Sequence, residues 1–222
     1  MKQIALVGVT MNSIPPMMRA LEGKEVKAVH YLDSYILEKN RKAGHMTDDC
    51  MRRMVNMVAH ACEDGADGVI ITCTIFSKYV SYFREMFSAP IVAADQAMME
   101  QAGKAGGRIA LLCTFEGTRE ISYQLLKLYC ELSGKSYEIV PFVLKEAYEE
   151  AQKSNLEVHN QMIREKILEI EGDYDQIVLA QMSMADSAAG LKTRRARVLT
   201  SPAAAYETVM EEIKKRKISY NS

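Results

Sequence analysis

The segment Gly68–Thr74, with the sequence GVIITCT, is the part of the chain that decides the fold class. Its apolar run contains three consecutive β-branched residues without polar alternation, which is typical of a strand buried on both faces. Before it, apolar residues recur at the spacing of one helical face from Met51 to Cys62, and Thr47 is placed to cap that helix. A helix followed by a wholly apolar strand predicts a βα unit in a parallel sheet.

The same alternation of short apolar runs and helical stretches extends along the whole chain. The predicted strands are Ile4–Thr10, Val26–Leu32, Gly68–Thr74, Ile91–Ala94, Arg108–Thr114, Tyr137–Val143, Gln176–Met182 and Val198–Ser201. Together with the helical stretches between them, they predict an α/β protein whose mainly parallel sheets are flanked by helices.

The strand sequences repeat once along the chain. Gln3–Leu6 (QIAL) is echoed by Arg108–Leu111 (RIAL), and Gly68–Thr74 is echoed by Gln176–Met182 in the same order. Matches between apolar strands arise often by chance, but two matches in the same order favour an internal duplication. The repeat therefore predicts two pseudo-symmetric lobes.

The expected lobe boundaries follow from the positions of the repeated strands. The first lobe comprises residues 1–95 and is joined by the C-terminal helix 202–222, and the second comprises residues 96–201. Ligands of parallel α/β sheets bind at the carboxyl ends of the strands. We therefore expect the active site in the cleft between the two lobes.

The composition excludes several classes of partner. Among 222 residues, 28 Lys and Arg oppose 29 Asp and Glu, so the formal net charge is −1. This balance predicts no binding to nucleic acid or to an anionic membrane, and it favours a small-molecule partner. Neither a G-x-G-x-x-G motif nor a P-loop is present in the sequence, so nothing indicates a nucleotide cofactor.

The cysteines and the hydropathy predict the compartment. Five cysteines without a C-x-x-C pair and four scattered histidines indicate neither a disulfide framework nor a metal site. No apolar run approaches the roughly 18 residues of a membrane span, and the amino terminus lacks the features of a signal peptide. These observations predict a cytoplasmic protein with reduced thiols.

Cys73 is the candidate catalytic residue. It lies at the carboxyl end of a predicted buried strand, between Thr72 and Thr74, whose hydroxyls can stabilise a thiolate or bind an anion. Position alone does not distinguish this role from that of a buried cysteine that ends a strand.

Further polar residues follow the other predicted strands. The candidate substrate-binding residues are Asn12, Thr74, Thr114, Gly117, Thr118, Gln181 and Ser183. Thr114–Thr118 opens a helix, where backbone amides and hydroxyls can bind a carboxylate. Gln181 and Ser183 can form hydrogen bonds, but neither titrates near neutral pH. Each group also has a structural interpretation, as a helix cap or a turn.

Four stretches together resemble the aspartate/glutamate racemase superfamily, which includes hydantoin racemases, maleate isomerase and arylmalonate decarboxylase. They are the opening strand with its Asn12 loop, Gly65–Thr74, Arg108–Thr118 and Asp175–Gln181. The resemblance spans nearly the whole chain. It implies two lobes, no cofactor, and thiol acid-base chemistry beside a substrate carboxylate.

The same resemblance suggests roles for individual residues. It places Cys73 at the first-lobe catalytic cysteine and places Thr74, Thr114 and Thr118 at carboxylate-binding positions. The sequence departs from the family pattern at Gln181, where the racemases have a second cysteine. An amide cannot transfer the proton on the second face of a planar intermediate.

Cys113, beside Thr114, is a possible substitute for the missing second thiol if its side chain faces the cleft. We therefore expect a cofactor-independent racemase or isomerase that acts on a small carboxylate through Cys73. The alternatives are a single-thiol decarboxylase or lyase, and a carboxylate-binding protein that has lost catalysis. Apolar residues on the predicted helices are also compatible with a homodimer.

Overall fold

The structure is a computed structural model that describes residues 1–220, with side chains for residues 1–216. The strands are β1 (Lys2–Gly8), β2 (Val26–Leu32), β3 (Gly68–Ile71), β4 (Ile91–Ala93), β5 (Gly107–Cys113), β6 (Tyr137–Val143), β7 (Gln176–Leu179) and β8 (Arg197–Leu199). The α-helices are α1 (Ile14–Ala20), α2 (Ser34–Ala43), α3 (Asp48–Glu63), α4 (Val80–Met86), α5 (Gln96–Ala105), α6 (Glu116–Ser133), α7 (Lys145–Gln152), α8 (Leu156–Ile170) and α9 (Pro202–Tyr220). Short 3-10 helices cover Met11–Ser13, Thr74–Tyr79 and Met182–Ala188.

The strands form two four-stranded sheets with the same order. One sheet has the order β2-β1-β3-β4 and the other β6-β5-β7-β8, and every pairing in both is parallel. This confirms the predicted α/β class with two similar sheets. The chain packs into two compact units: unit 1 contains Met1–Ala94 and the chain from Pro202 onward, and unit 2 contains Asp95–Ser201.

Several predicted strands are too long at their carboxyl ends. The strand predicted to end at Thr74 stops at Ile71, and the strand predicted to end at Met182 stops at Leu179. In both places the chain turns into a 3-10 helix, and the amide of Phe76 donates to the Cys73 carbonyl at 3.0 Å in the first of them. The polar residues that follow each strand therefore lie on turns.

In unit 1, the predicted amphipathic helix and the C-terminal helix cover the sheet. The Thr47 hydroxyl caps α3 by accepting a hydrogen bond from the amide of Cys50 at 3.2 Å. Helix α9 approaches β3 at Gly68, where a Cβ atom would lie 2.7 Å from Val209 Cγ2 and 2.9 Å from Ile213 Cδ1. A glycine is thus needed for this helix to pack on the sheet. Residues 221 and 222 of the predicted C-terminal helix lie outside the described residues.

In unit 2, two apolar clusters lie on opposite faces of the sheet. One cluster includes Leu111, Cys113 and Ala180 with residues of α5 and α6, and the other includes Leu112 and Leu179 with residues of α7 and α8. Successive residues of a strand point to opposite faces, which explains this division. The sheet is buried on both sides, as its apolar strands predict.

The two units share one strand register. Ile4 pairs with Gly68 in unit 1, and Ile109 pairs with Gln176 in unit 2. At the ends of these strands, the amide of Thr72 donates to the Val7 carbonyl and the amide of Ala180 donates to the Leu112 carbonyl, both at 2.9 Å.

The shared register makes several positions equivalent. The equivalent pairs are Gly8 and Cys113, Ser13 and Thr118, Thr72 and Ala180, and Cys73 and Gln181. The pairing continues past the strands, since Ser13 Oγ donates to the Thr10 carbonyl at 2.9 Å and Thr118 Oγ1 donates to the Phe115 carbonyl at 2.7 Å.

Candidate active site

Cys73 lies just past the carboxyl end of β3, which is an inner strand of its sheet. Its backbone is extended, with φ −120° and ψ 111°, and it immediately precedes the 3-10 helix Thr74–Tyr79. The side chain is 8 % exposed. A thiol at this position is shielded from bulk water but not sealed in the core, which is a suitable environment for proton transfer to a bound ligand.

The hydroxyl of Thr72 has a structural role instead of a ligand-binding one. It lies 3.3 Å from Ser13 Oγ and 3.4 Å from the Val7 carbonyl oxygen. Gly8 makes room for it, because a Cβ atom at residue 8 would collide with Thr72 Oγ1. The cavity beside these residues has about 10 Å³ of space, room for at most a single water molecule.

Asn12 and Thr74 are the other predicted site residues of unit 1. Asn12 is half-buried in the 3-10 helix Met11–Ser13, and its backbone amide donates to Thr10 Oγ1 at 3.3 Å. Thr74 is buried at the first position of the 3-10 helix that follows Cys73. Both residues follow the carboxyl ends of β1 and β3, which are neighbouring strands. Unit 1 therefore places both near the same edge of the sheet as Cys73.

Gln181 of unit 2 holds the loop that precedes α6. Its Oε1 accepts hydrogen bonds from the amide of Thr114 at 2.6 Å, from Thr114 Oγ1 at 3.0 Å and from the amide of Phe115 at 3.3 Å. We call these three donors the amide cradle. They are the groups that would bind a carboxylate at the start of the helix, and the side chain of Gln181 occupies them.

The remaining residues of this loop are packed closely. Thr118 is buried and donates through Oγ1 to the Phe115 carbonyl at 2.7 Å. The ring of Phe115 stacks on that of Tyr148 with a centroid distance of 5.2 Å. A Cβ atom at Gly117 would lie 2.6 Å from Phe115 Cε1, so the glycine makes room for this ring. In the described conformation, Gly117 and Thr118 thus shape the loop, and their substrate-binding roles stay predictions.

Cys113 does not supply a second thiol to the candidate site. Its side chain is fully buried in the apolar cluster between the sheet and helices α5 and α6. Desolvation raises the pKa of Cys113 to about 12, and the nearby hydroxyls of Thr118 and Ser122 offset this only in part. At pH 7 the thiolate fraction of such a group is on the order of 10⁻⁵.

Ser183 is half-buried on the turn after Gln181, in the 3-10 helix Met182–Ala188. Its hydroxyl makes no hydrogen bond to any of the residues that the structure describes. Ser183 and Gln181 are therefore the polar side chains of this turn that retain capacity for a ligand. Neither is a proton-transfer group near neutral pH.

Two further observations concern metals and membranes. Within residues 1–220, no three His, Cys, Asp or Glu side chains are grouped closely enough to hold a metal ion. Over the same range, no helix combines the length and the apolar character that crossing a bilayer requires.

The sequence alone did not predict the contacts that give Thr72 and Cys113 their structural roles, nor the contact of Gln181 with the amide cradle. The repeat of QIAL in RIAL contains part of the signal, because extending it by two residues aligns Gly8 with Cys113. That alignment places Cys113 at the last residue of its strand, and only its packing in the apolar cluster shows that it faces the core. The contact between Gln181 and Thr114 joins residues 67 positions apart, and no local pattern predicts it.

The comparisons with known proteins agree with this architecture. The sequence profile of the Asp/Glu/Hydantoin racemase family matches residues 10–209. Among curated protein sequences, none matches the chain.

Solved structures with a similar fold include an aspartate racemase from Picrophilus torridus, with a TM-score of 0.72 and 14 % identity over 96 % of this chain and 95 % of that chain. An allantoin racemase from Klebsiella pneumoniae has a TM-score of 0.66 and 16 % identity over 96 % of this chain and 88 % of that chain. A glutamate racemase from Francisella tularensis, solved with D-glutamate, has a TM-score of 0.68 and 8 % identity over 97 % and 82 %. At these identities the structures establish the shared fold. Because the family profile covers residues 10–209 of 222, the chain belongs to the Asp/Glu/Hydantoin racemase family.

Proposed function

We propose that the protein is a cofactor-independent racemase or isomerase that acts on a small carboxylate, with Cys73 as the thiol that moves the proton. The observation that carries the proposal is the position of Cys73, 8 % exposed at the carboxyl end of an inner parallel strand. Family membership supports the same class of reaction. Asn12 and Thr74, at the same edge of the unit 1 sheet, are the proposed ligand-binding neighbours.

The proposed chemistry is a proton transfer at the carbon next to the carboxylate. The Cys73 thiolate removes a proton from that carbon, and the electron pair of the C–H bond moves toward the carboxylate oxygens. Return of a proton by the same thiol regenerates the starting enantiomer, so racemisation also requires a proton donor on the opposite face of the planar intermediate. Exchange of the thiol proton with solvent before that return would label the substrate with deuterium in heavy water.

Gln181 favours a second outcome of the same chemistry. It stands where the resemblance places the second catalytic cysteine, and its amide neither donates nor accepts a proton in acid-base catalysis. Loss of such a group typically reduces a rate by about 10²- to 10⁴-fold. A reaction that needs one thiol, such as a decarboxylation or an isomerisation on one face, is therefore the alternative. A carboxylate-binding protein without turnover is the third candidate.

Proton NMR in deuterated buffer tests these assignments. The substrates are aspartate, glutamate, hydantoins and substituted malonates, each incubated with wild type, Cys73→Ala and Cys62→Ala. Cys62 is a partly exposed thiol of the same unit on helix α3, and it serves as the matched control. We expect deuterium uptake or turnover of one substrate to fall by at least about 10²-fold in Cys73→Ala and to persist in Cys62→Ala.

The stereochemistry of the product distinguishes the candidates. Uptake with inversion indicates a racemase, whereas uptake with retention or release of carbon dioxide indicates single-thiol chemistry. Saturable binding of a carboxylate with no uptake supports the binding protein. Unchanged exchange in a folded Cys73→Ala variant would remove Cys73 from the mechanism.

A further inference from the structure

We infer that Gln181 is a specificity-determining residue: its Oε1 closes the amide cradle to small carboxylates, and its Nε2 binds them instead. The inference deepens the proposed function, since it takes a small carboxylate as the ligand. It depends only on contacts within unit 2.

The hydrogen bonds fix which way the amide of Gln181 points. The three groups that contact the terminal oxygen of Gln181 are all hydrogen-bond donors. They are two backbone N–H groups and the Thr114 hydroxyl, at 2.6 to 3.3 Å. A backbone N–H cannot face an amide NH₂, so the atom in the cradle is Oε1.

The other end of the amide is available to a ligand. Gln181 is half-buried, and its Nε2 makes no hydrogen bond to any of the described residues. Because the carbonyl end is fixed, the two Nε2 hydrogens point away from the cradle. They form a neutral donor pair that is already oriented, which reduces the entropy lost when an anion binds.

An external carboxylate competes poorly with Gln181 for the cradle. A side chain attached to the same unit reaches the donors at a high effective concentration, whereas a free ligand must lose its translational freedom. Thr114 is also buried, with 2 % of its surface exposed, so a competing anion would have to displace the amide to reach the backbone N–H groups. The donors that would bind a carboxylate are thus satisfied internally.

The experiment is an NMR titration of the ¹⁵N-labelled full-length protein with sodium malonate, and sodium chloride at matched ionic strength is the control. The signals to follow are the side-chain NH₂ of Gln181 and the backbone amides of Thr114 and Phe115. We expect malonate to shift the NH₂ signals saturably and to leave the two backbone amides unchanged.

Two variants separate the two roles of the side chain. Gln181→Glu keeps an acceptor in the cradle but replaces the donor pair with a carboxylate oxygen, so we expect malonate binding to weaken by at least about tenfold with the fold retained. Gln181→Ala empties the cradle, and we expect malonate to shift the amides of Thr114 and Phe115 in this variant. Circular dichroism of each variant reports folding.

Three results would overturn the inference. Malonate could shift the Thr114 and Phe115 amides of the wild type, leave the Gln181 NH₂ unaffected at saturating concentration, or fail to reach the cradle in folded Gln181→Ala. Repeating the titration with Cys73→Ala distinguishes this inference from the proposed function. If malonate binds as expected but no exchange depends on Cys73, only the proposed function is refuted.

Discussion

The turns that follow β3 and β7 have the same backbone register but opposite chemistry. In unit 1 the equivalent positions hold Gly8, Thr72 and Cys73, and in unit 2 they hold Cys113, Ala180 and Gln181. In unit 1 the larger side chain is that of Thr72, after β3, and its neighbour on β1 is Gly8. In unit 2 the larger side chain is that of Cys113, on β5, and the residue after β7 is Ala180. Each unit therefore fills the same space from a different strand, which preserves core packing while the following residue changes from a thiol to an amide.

Cys73 and Cys113 both lie near the carboxyl end of a strand, but they occupy different positions of the repeat. Cys73 lies on the turn after β3 and retains some exposure, whereas Cys113 is the last residue of β5, at the position equivalent to Gly8, and is enclosed in the core. Burial raises the pKa of Cys113, so this thiol remains protonated at neutral pH. Cys113 is thus a packing residue that compensates for Ala180.

The largest expected effect comes from replacing Cys113 with Ser and measuring unfolding by urea as a function of pH. The folded-state pKa of about 12 lies above the unfolded value of 9.0, so the thiol of the unfolded chain ionises first. Wild-type stability is therefore lost as the pH rises above the unfolded pKa. Relative to Cys113→Ser, we expect the wild type to lose about 1.4 kcal/mol per pH unit, and about 4 kcal/mol in total by the folded pKa. Parallel curves for the two proteins would show that the thiol ionises freely in the folded state.

A second prediction concerns the contact between Gly8 and Thr72 in unit 1, where substitutions can reverse which of the two residues is the larger. Gly8→Ala introduces a Cβ atom against Thr72 Oγ1, and overpacking of this kind typically costs about 1–3 kcal/mol. Thr72→Ala in the same chain should restore most of that loss, because it recreates the small residue found at Ala180. The measurement is a double-mutant cycle of unfolding free energies. Additive effects of the two substitutions would contradict the proposed compensation.

The smallest expected effect concerns the carboxylates that immediately precede the inner strands β3 and β7. Asp175 accepts a hydrogen bond from the amide of Arg108 at 2.8 Å, and Asp67 accepts one from the amide of Gln3 at 2.8 Å. The backbone hydrogen bond from Arg108, followed by the Arg195 guanidinium, lowers the pKa of Asp175.

Asp175→Asn should consequently destabilise the protein slightly at neutral pH. The difference should narrow as the pH falls below the unfolded value of 3.8 and through the lower folded pKa, since protonation removes the charge-dependent part of the interaction in the wild type. Thermal unfolding of both proteins over this acidic range measures the effect. A difference that widens on acidification would reverse the assigned sign.

The local patterns of the sequence were enough to predict the fold class and the strand-end position of Cys73. Strands such as Gly68–Ile71 are wholly apolar because helices cover both faces, and this property is visible without coordinates. The repeat likewise indicated two similar sheets. The ends of the strands were less predictable, because Thr72 and Cys73 have the β-branched or small apolar character of the strand that precedes them. Whether the chain continues as a strand there depends on its pairing with Val7 and the turn that follows.

The roles of Cys113 and Gln181 depended on tertiary structure. Both side chains lie at strand ends in the sequence, where either could face a ligand or the interior. Contacts with distant residues decide between these possibilities: α5 and α6 enclose Cys113, and Gln181 meets Thr114 across 67 positions of the chain. A sequence pattern reports which residues suit a buried or exposed surface, but the pKa of a thiol and the direction of an amide are set by the groups that surround them in space.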